Sequence, residues 1–158
     1  MKDIVELLKK NNKTISTMES CTGGGVANAI TNIEGASEIL KFSAVTYSNE
    51  FKIKMGVDKK IIDKYTVYSI ETADEMSKNI SKFTNSDYGV GITGQINRQD
   101  PNNTTGEKNK IYISIFDKEN NKFSNEILEA INSSRENNKK LIIEKIKEML
   151  INIIKRDL

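Results

Sequence analysis

The sequence predicts one α/β domain in which a mixed β-sheet lies between layers of helices. Three observations predict it. Helical and strand-like segments alternate along the first two thirds of the chain, a β-hairpin follows them, and the last segment is a helix with one wide apolar stripe. With 158 residues, the chain (1–158) is the size of a single domain that buries its core without disulfides or metals.

Taken in order, Ile4, Val5, Leu7 and Leu8 recur at helical spacing between Lys2 and Asn11, and Asn11-Asn12-Lys13 breaks that helix. Thr14 to Met18 is short and β-rich, a strand. Glu19 to Gly25 makes a tight turn, after which Val26, Ala29, Ile30 and Ile33 resume the helical period. Ile39 to Tyr47 is apolar and β-branched enough for a central strand. Asn49–Met55 and Asp58–Tyr65 suit short helices, the second with Asp58 as N-cap. Ser69-Ile70-Glu71-Thr72 opens a longer helix that places Ala73, Met76, Ile80 and Phe83 on its apolar side. Tyr88 to Thr93 is a strand that runs into glycine. Gly94 to Asn109 is the longest irregular stretch and holds the only proline, Pro101; a loop of this length in a compact domain is functional or mobile. Lys110–Phe116 and Phe123–Leu128 form a hairpin about a turn at Asp117–Asn121. Asn132 or Ser134 caps the final helix, whose stripe is Leu141, Ile142, Ile146, Met149, Leu150 and Ile153.

Composition narrows the chemistry. Basic residues number 24 against 22 acids, and the lysines are scattered, so there is no footprint for nucleic acid. No run approaches the ~20 apolar residues of a membrane span. The one cysteine, Cys21, excludes an intramolecular disulfide and fits a reducing compartment, and the first residues lack a signal peptide's apolar stretch. The expected location is the cytoplasm. Histidine is absent, which excludes Ser-His-Asp and Cys-His activation and histidine zinc sites; a lone cysteine excludes a thiolate zinc cluster. A hydrolytic base must then be Lys, Tyr, Asp or Glu. No metal is expected.

Three clusters carry chemistry. Glu19-Ser20-Cys21-Thr22-Gly23-Gly24-Gly25 is a strand-to-helix turn where glycine lets backbone approach a ligand, and N–H groups at a helix start favour an anion or oxyanion. Ser20 sits where an activated hydroxyl belongs. The cluster lacks the Walker lysine and the GxGxxG spacing. Cys21 is a rival nucleophile or a small apolar filler; without a histidine partner, the filler is favoured. Val45-Thr46-Tyr47-Ser48-Asn49-Glu50-Phe51-Lys52 offers a phenol, hydroxyls, an amide and an amine, with a packed Tyr47 and a solvated Lys52 as the structural alternative. Gly91-Ile92-Thr93-Gly94 is a strand end that opens into the long loop.

Glu19 to Gly24, Val45 to Glu50 with Lys52, Gly56-Val57 and Ile92-Thr93-Gly94, in this order and spacing, resemble the C-terminal domain of the CinA (competence/damage-inducible protein A) family, also known as nicotinamide-nucleotide amidase. The resemblance covers nearly the whole chain. It implies a three-layer α/β/α sandwich that hydrolyses nicotinamide mononucleotide to nicotinic acid mononucleotide and ammonia, with no cofactor or metal. It also implies that Ser20 is the nucleophile, that Lys52 assists it and that Tyr47 lines the site; in the mechanism expected from these residue types, Tyr47 relays a proton or holds the amine. Thr22, Gly23, Gly24, Thr93 and Gly94 would bind substrate, and Arg135 would meet a phosphate, with Asn138 or a neighbour standing where the family has a second arginine.

The chain departs from the family after Gly94. Gln95-Ile96-Asn97-Arg98-Gln99-Asp100-Pro101-Asn102-Asn103 replaces an apolar, glycine-rich loop of the Ile-Ala-Gly-Pro-Gly-Gly kind. Two alternatives follow: an amidohydrolase with a different amide substrate, or a nucleotide- or partner-binding protein without catalysis. Arg98 is a phosphate ligand or a solvated loop residue. A homodimer is a further expectation, through the final helix or the exposed hairpin face.

Overall fold

The computed structural model describes residues 1–157. Its elements run α1 (Lys2–Lys10), β1 (Ile15–Glu19), α2 (Gly25–Thr31), a 3-10 turn (Ala36–Glu38), β2 (Leu40–Val45), α3 (Asn49–Lys54) and α4 (Lys59–Tyr65). There follow α5 (Ile70–Thr84), β3 (Tyr88–Gly94), β4 (Lys110–Asp117), β5 (Lys122–Glu129) and α6 (Arg135–Arg156). The strands form one sheet in the order β2-β1-β3-β4-β5. β1 pairs in parallel with both β2 and β3, and β3, β4 and β5 pair antiparallel, so the sheet is mixed as expected. The parallel pairs need crossovers, which α2 supplies on one side and α3, α4 and α5 on the other.

The two faces of the sheet carry separate cores. On one, Ile4, Val5 and Leu8 of α1, Val26 and Ile30 of α2, and Ile142, Ile146, Leu150, Ile153 and Ile154 of α6 cover Val90, Ile92, Ile111, Ile113 and Ile115. On the other, Met76 and Ile80 of α5 meet Met18 and Val57. β1 is buried along its whole length, since it has a strand on each side and helices over each face. α5 packs tightly against β3. A Cβ at Gly89 would stand 2.0 Å from the Ser77 carbonyl oxygen, and one at Gly91 would stand 2.4 Å from that of Ala73. Backbone lies on backbone there, and only glycine fits.

Side-chain caps start four helices: Ser48, Asp58, Ser69 and Ser134 accept from the N–H groups of Phe51, Lys60, Thr72 and Asn137. Asp58 is the cap that its sequence position predicts, and Ser134, not Asn132, caps α6. Two expectations need correction. The segment Ile39–Tyr47 is no central strand: β2 covers Leu40–Val45 at the sheet edge, with Phe42 41% and Val45 52% exposed. Composition reports that a strand forms, while its rank in the sheet depends on which partners the crossovers deliver. Phe83 is likewise outside the core, 65% exposed, with its ring centroid 5.3 Å from that of Phe42. Among the described residues, no helix is long and apolar enough to cross a membrane.

Candidate active site

The chain leaves β1 toward β2 on one side of the sheet, while β3 lies on the other. The carboxyl ends of β1 and β3 therefore sit at a topological switch point, where open α/β sheets place ligands. A cavity of about 890 Å³ opens there, bordered by Ser20, Cys21, Lys52, Thr93, Gly94, Arg135 and the loop from Gln95 to Asn103. Its size suits a small-molecule ligand.

Ser20 is the first residue beyond β1. Its N–H donates to the Ile92 carbonyl of β3 at 2.9 Å, and its own carbonyl accepts from the Gly23 N–H at 2.9 Å. The chain turns back through Gly23 and Gly24, whose φ values of 61° and 92° are left-handed. What holds this turn is Glu19, a fully buried carboxylate that sequence reasoning passed over. It accepts from the Thr22 hydroxyl at 2.7 Å, the Thr17 hydroxyl at 3.1 Å, and the N–H groups of Val26 and Ala27 at 2.9 Å each.

This clamp corrects the anion site expected at the start of α2. The free N–H groups of that helix end are spent on Glu19, and those of Gly23 and Gly25 on the carbonyls of Ser20 and Thr22. Thr22 is turned from the cavity and only 2% exposed, its hydroxyl held by Glu19. Gly23 and Gly24 shape the turn and do not border the cavity. At the cavity beside Ser20, the Cys21 N–H is accepted by no oxygen of the described residues.

Lys52 is the one buried residue of α3, 2% exposed. The Ser48 cap sets the helix so that this side chain points inward, and Nζ lies 3.0 Å from Ser20 Oγ and 2.8 Å from the Thr46 carbonyl, to which it donates. The Thr46 N–H donates to the Glu19 carbonyl at 2.8 Å, which fixes that anchor to the end of β1. Burial dominates the electrostatics and lowers the amine's pKa from 10.5 to about 8. A neutral amine suits the arrangement: one N–H for Thr46, and a lone pair to receive the Ser20 hydroxyl proton. Cys21, by contrast, is buried with its thiol pushed up to about 12 by desolvation, which keeps it protonated.

Thr93 and Gly94 build the opposite wall. The Thr93 hydroxyl, 1% exposed, donates to the Val67 carbonyl at 2.7 Å and ties β3 to the segment before α5. A Cβ on Gly94 would stand 2.7 Å from Ile111 Cα, so glycine permits the pairing with β4. Tyr47 stands at the rim, 63% exposed, and its hydroxyl accepts from Arg135 Nη2 at 3.3 Å. It meets neither Ser20 nor Lys52, so the proton relay expected of it has no path here. Arg135, at the start of α6, also donates through Nη1 to the Ile96 carbonyl. Asn138 is buried and braces the approach to α6, accepting from the Ile131 N–H at 2.9 Å and donating to the carbonyls of Ile131 and Ser134 at 3.1 Å each.

The comparisons agree with this architecture. The CinA C-terminal domain family model matches residues 1–154. A CinA-like protein of Kosmotoga olearia is 41% identical over 116 residues, covering 72% of this chain and 27% of that protein. A putative competence-damage inducible protein of Thermoanaerobacter sp. (strain X514) is 45% identical over 92 residues, covering 58% of this chain and 22% of that one. The match thus spans about a quarter of the length of these relatives. Among solved structures, a competence-damaged protein (CinA) superfamily protein of Klebsiella pneumoniae superimposes with a TM-score of 0.88 at 16% identity, over 98% of this chain and 95% of that one. The competence/damage inducible protein CihA of Agrobacterium tumefaciens gives 0.81 at 26% identity, over 95% and 94%. With the family model covering all but the last residues, this chain belongs to the CinA C-terminal domain family.

Proposed function

We propose that the chain is a nicotinamide mononucleotide amidase in which Ser20 is the nucleophile and neutral Lys52 its base. The observation that carries this reading is the buried Lys52 amine 3.0 Å from the Ser20 hydroxyl, with no acid within ion-pair distance among the described residues. A serine hydroxyl needs a base to become nucleophilic, and in a chain without histidine a desolvated lysine supplies one.

Ser20 Oγ adds to the carboxamide carbon as its proton passes to Lys52 Nζ. The oxyanion meets the Cys21 N–H, a donor of the kind worth roughly 2.7–4 kcal/mol. The resulting ammonium of Lys52 then protonates the amide nitrogen, the C–N bond breaks, and ammonia leaves an acyl ester on Ser20. Water attacks that ester with Lys52 again taking the proton, and the carboxylate departs as Ser20 is restored. Arg98 and Arg135 at the cavity border supply cationic donors for the phosphate. Tyr47 keeps Arg135 at the rim through its hydroxyl. Thr93 and Gly94 form the wall against which the substrate lies.

Ammonia release from nicotinamide mononucleotide by the wild type and by Ser20→Ala tests the reading. Release by the wild type with a loss of about 10³-fold or more in the variant is expected. No release by the wild type overturns the activity, and undiminished release by the variant overturns the nucleophile.

A further inference from the structure

Four charged side chains border the cavity: Lys52, Arg98, Arg135 and, as the sole acid, Asp100. Among the described residues none of the four enters an ion pair, although such pairs are frequent over the rest of the surface. With Lys52 serving as the neutral base, Arg98, Arg135 and Asp100 are left for a ligand, and one that satisfies two guanidinium groups and an acid carries both signs.

The acid is held in place. Asp100 accepts from the Asn102 N–H and from Asn103 Nδ2, each at 2.9 Å. Asn103 and Asn49 exchange a reciprocal pair of amide hydrogen bonds at 2.9 and 3.2 Å. Asn49 opens α3, the helix that carries Lys52. A chain of three side chains therefore fixes the carboxylate relative to the amine that faces Ser20. These hydrogen bonds also keep the Asp100 carboxyl below its usual range, so it is ionised at neutral pH.

We infer that Asp100 is a specificity residue that receives the positive ring of a zwitterionic pyridinium nucleotide, so that the site prefers the oxidised ring to its neutral, reduced counterpart. The inference rests on the amidase reading and names the part of the substrate that the polar loop recognises. The loop lacks the glycines that would let backbone wrap the ligand, and places a charge there instead. A bound cation also favours the neutral form of Lys52, the form the chemistry uses.

Calorimetric titration in a Ser20→Ala background, where turnover is blocked, tests this with nicotinamide mononucleotide and its 1,4-dihydro form. The oxidised nucleotide binds more tightly. Asp100→Asn weakens it about tenfold and leaves the dihydro form within about twofold. Asn103→Ala, which keeps the charge but frees the carboxylate, weakens the oxidised form by a smaller factor and again spares the dihydro form. The dihydro form thus serves as the folding control. Equal losses for both nucleotides, or no loss for either, overturn the inference. If the wild type releases no ammonia yet Asp100 discriminates in this way, the amidase reading fails and the cation site stands; ammonia release without discrimination does the reverse.

Discussion

Lys52→Met is predicted to abolish activity and yet stabilise the fold at neutral pH. Lys52 is 2% exposed and its pKa falls from 10.5 to about 8, so holding an ammonium there at pH 7 costs the fold about 3 kcal/mol. Methionine fills a similar volume without that charge. Against this, the Thr46 carbonyl loses its donor, a loss of about 1–2 kcal/mol. The net gain at pH 7 is on the order of 1–2 kcal/mol. Its sign reverses with pH: the unfolded chain binds more protons at this lysine between about pH 8 and pH 10.5, so the wild type recovers stability as pH rises through that window and the penalty is gone above it. Urea unfolding of both proteins at pH 7 and pH 10 measures the difference. A variant less stable than the wild type at pH 7, by an amount that does not change at pH 10, refutes a desolvated Lys52.

Other perturbations probe the frame around it. Glu19→Gln puts an NH₂ against the donors that the carboxylate now accepts; it should cost about 2–4 kcal/mol and lower kcat at least tenfold with little change in KM, read by melts and steady-state kinetics. Gly89→Ala drives a methyl against the Ser77 carbonyl and should destabilise by about 3 kcal/mol or more, or prevent folding, judged by soluble yield and melting. Cys21, protonated and buried, should resist alkylation in the native protein and react only on unfolding; rapid native labelling with loss of activity would make it a rival nucleophile.

Most of the fold was legible because apolar periodicity marks which segments bury which face, as in Ile142, Ile146, Leu150 and Ile153 of α6. The edge position of β2 was not, since it follows from crossovers between segments far apart in sequence. Within the site, Ser20 and Lys52 stood out through their motifs, while their contact is tertiary. Glu19 was visible only as an acid between a strand and a glycine turn, a position that offers a carboxylate several unspent N–H groups. Asp100 had no local signal, because its neighbours come from α3 and from its own loop. Tyr47 and Thr22 carried the family pattern, yet one stands at the rim on Arg135 and the other supports Glu19.

The central claim is that a neutral lysine activates Ser20, and the pH dependence of kcat/KM for ammonia release from nicotinamide mononucleotide tests it most directly. With the Lys52 pKa near 8, the neutral fraction is about a tenth at pH 7 and about nine tenths at pH 9. The account predicts a roughly tenfold rise over that interval, a single limb centred about pH 8, and a plateau above it. A profile flat from pH 6 to 10, or one that falls as pH rises through 8, contradicts it.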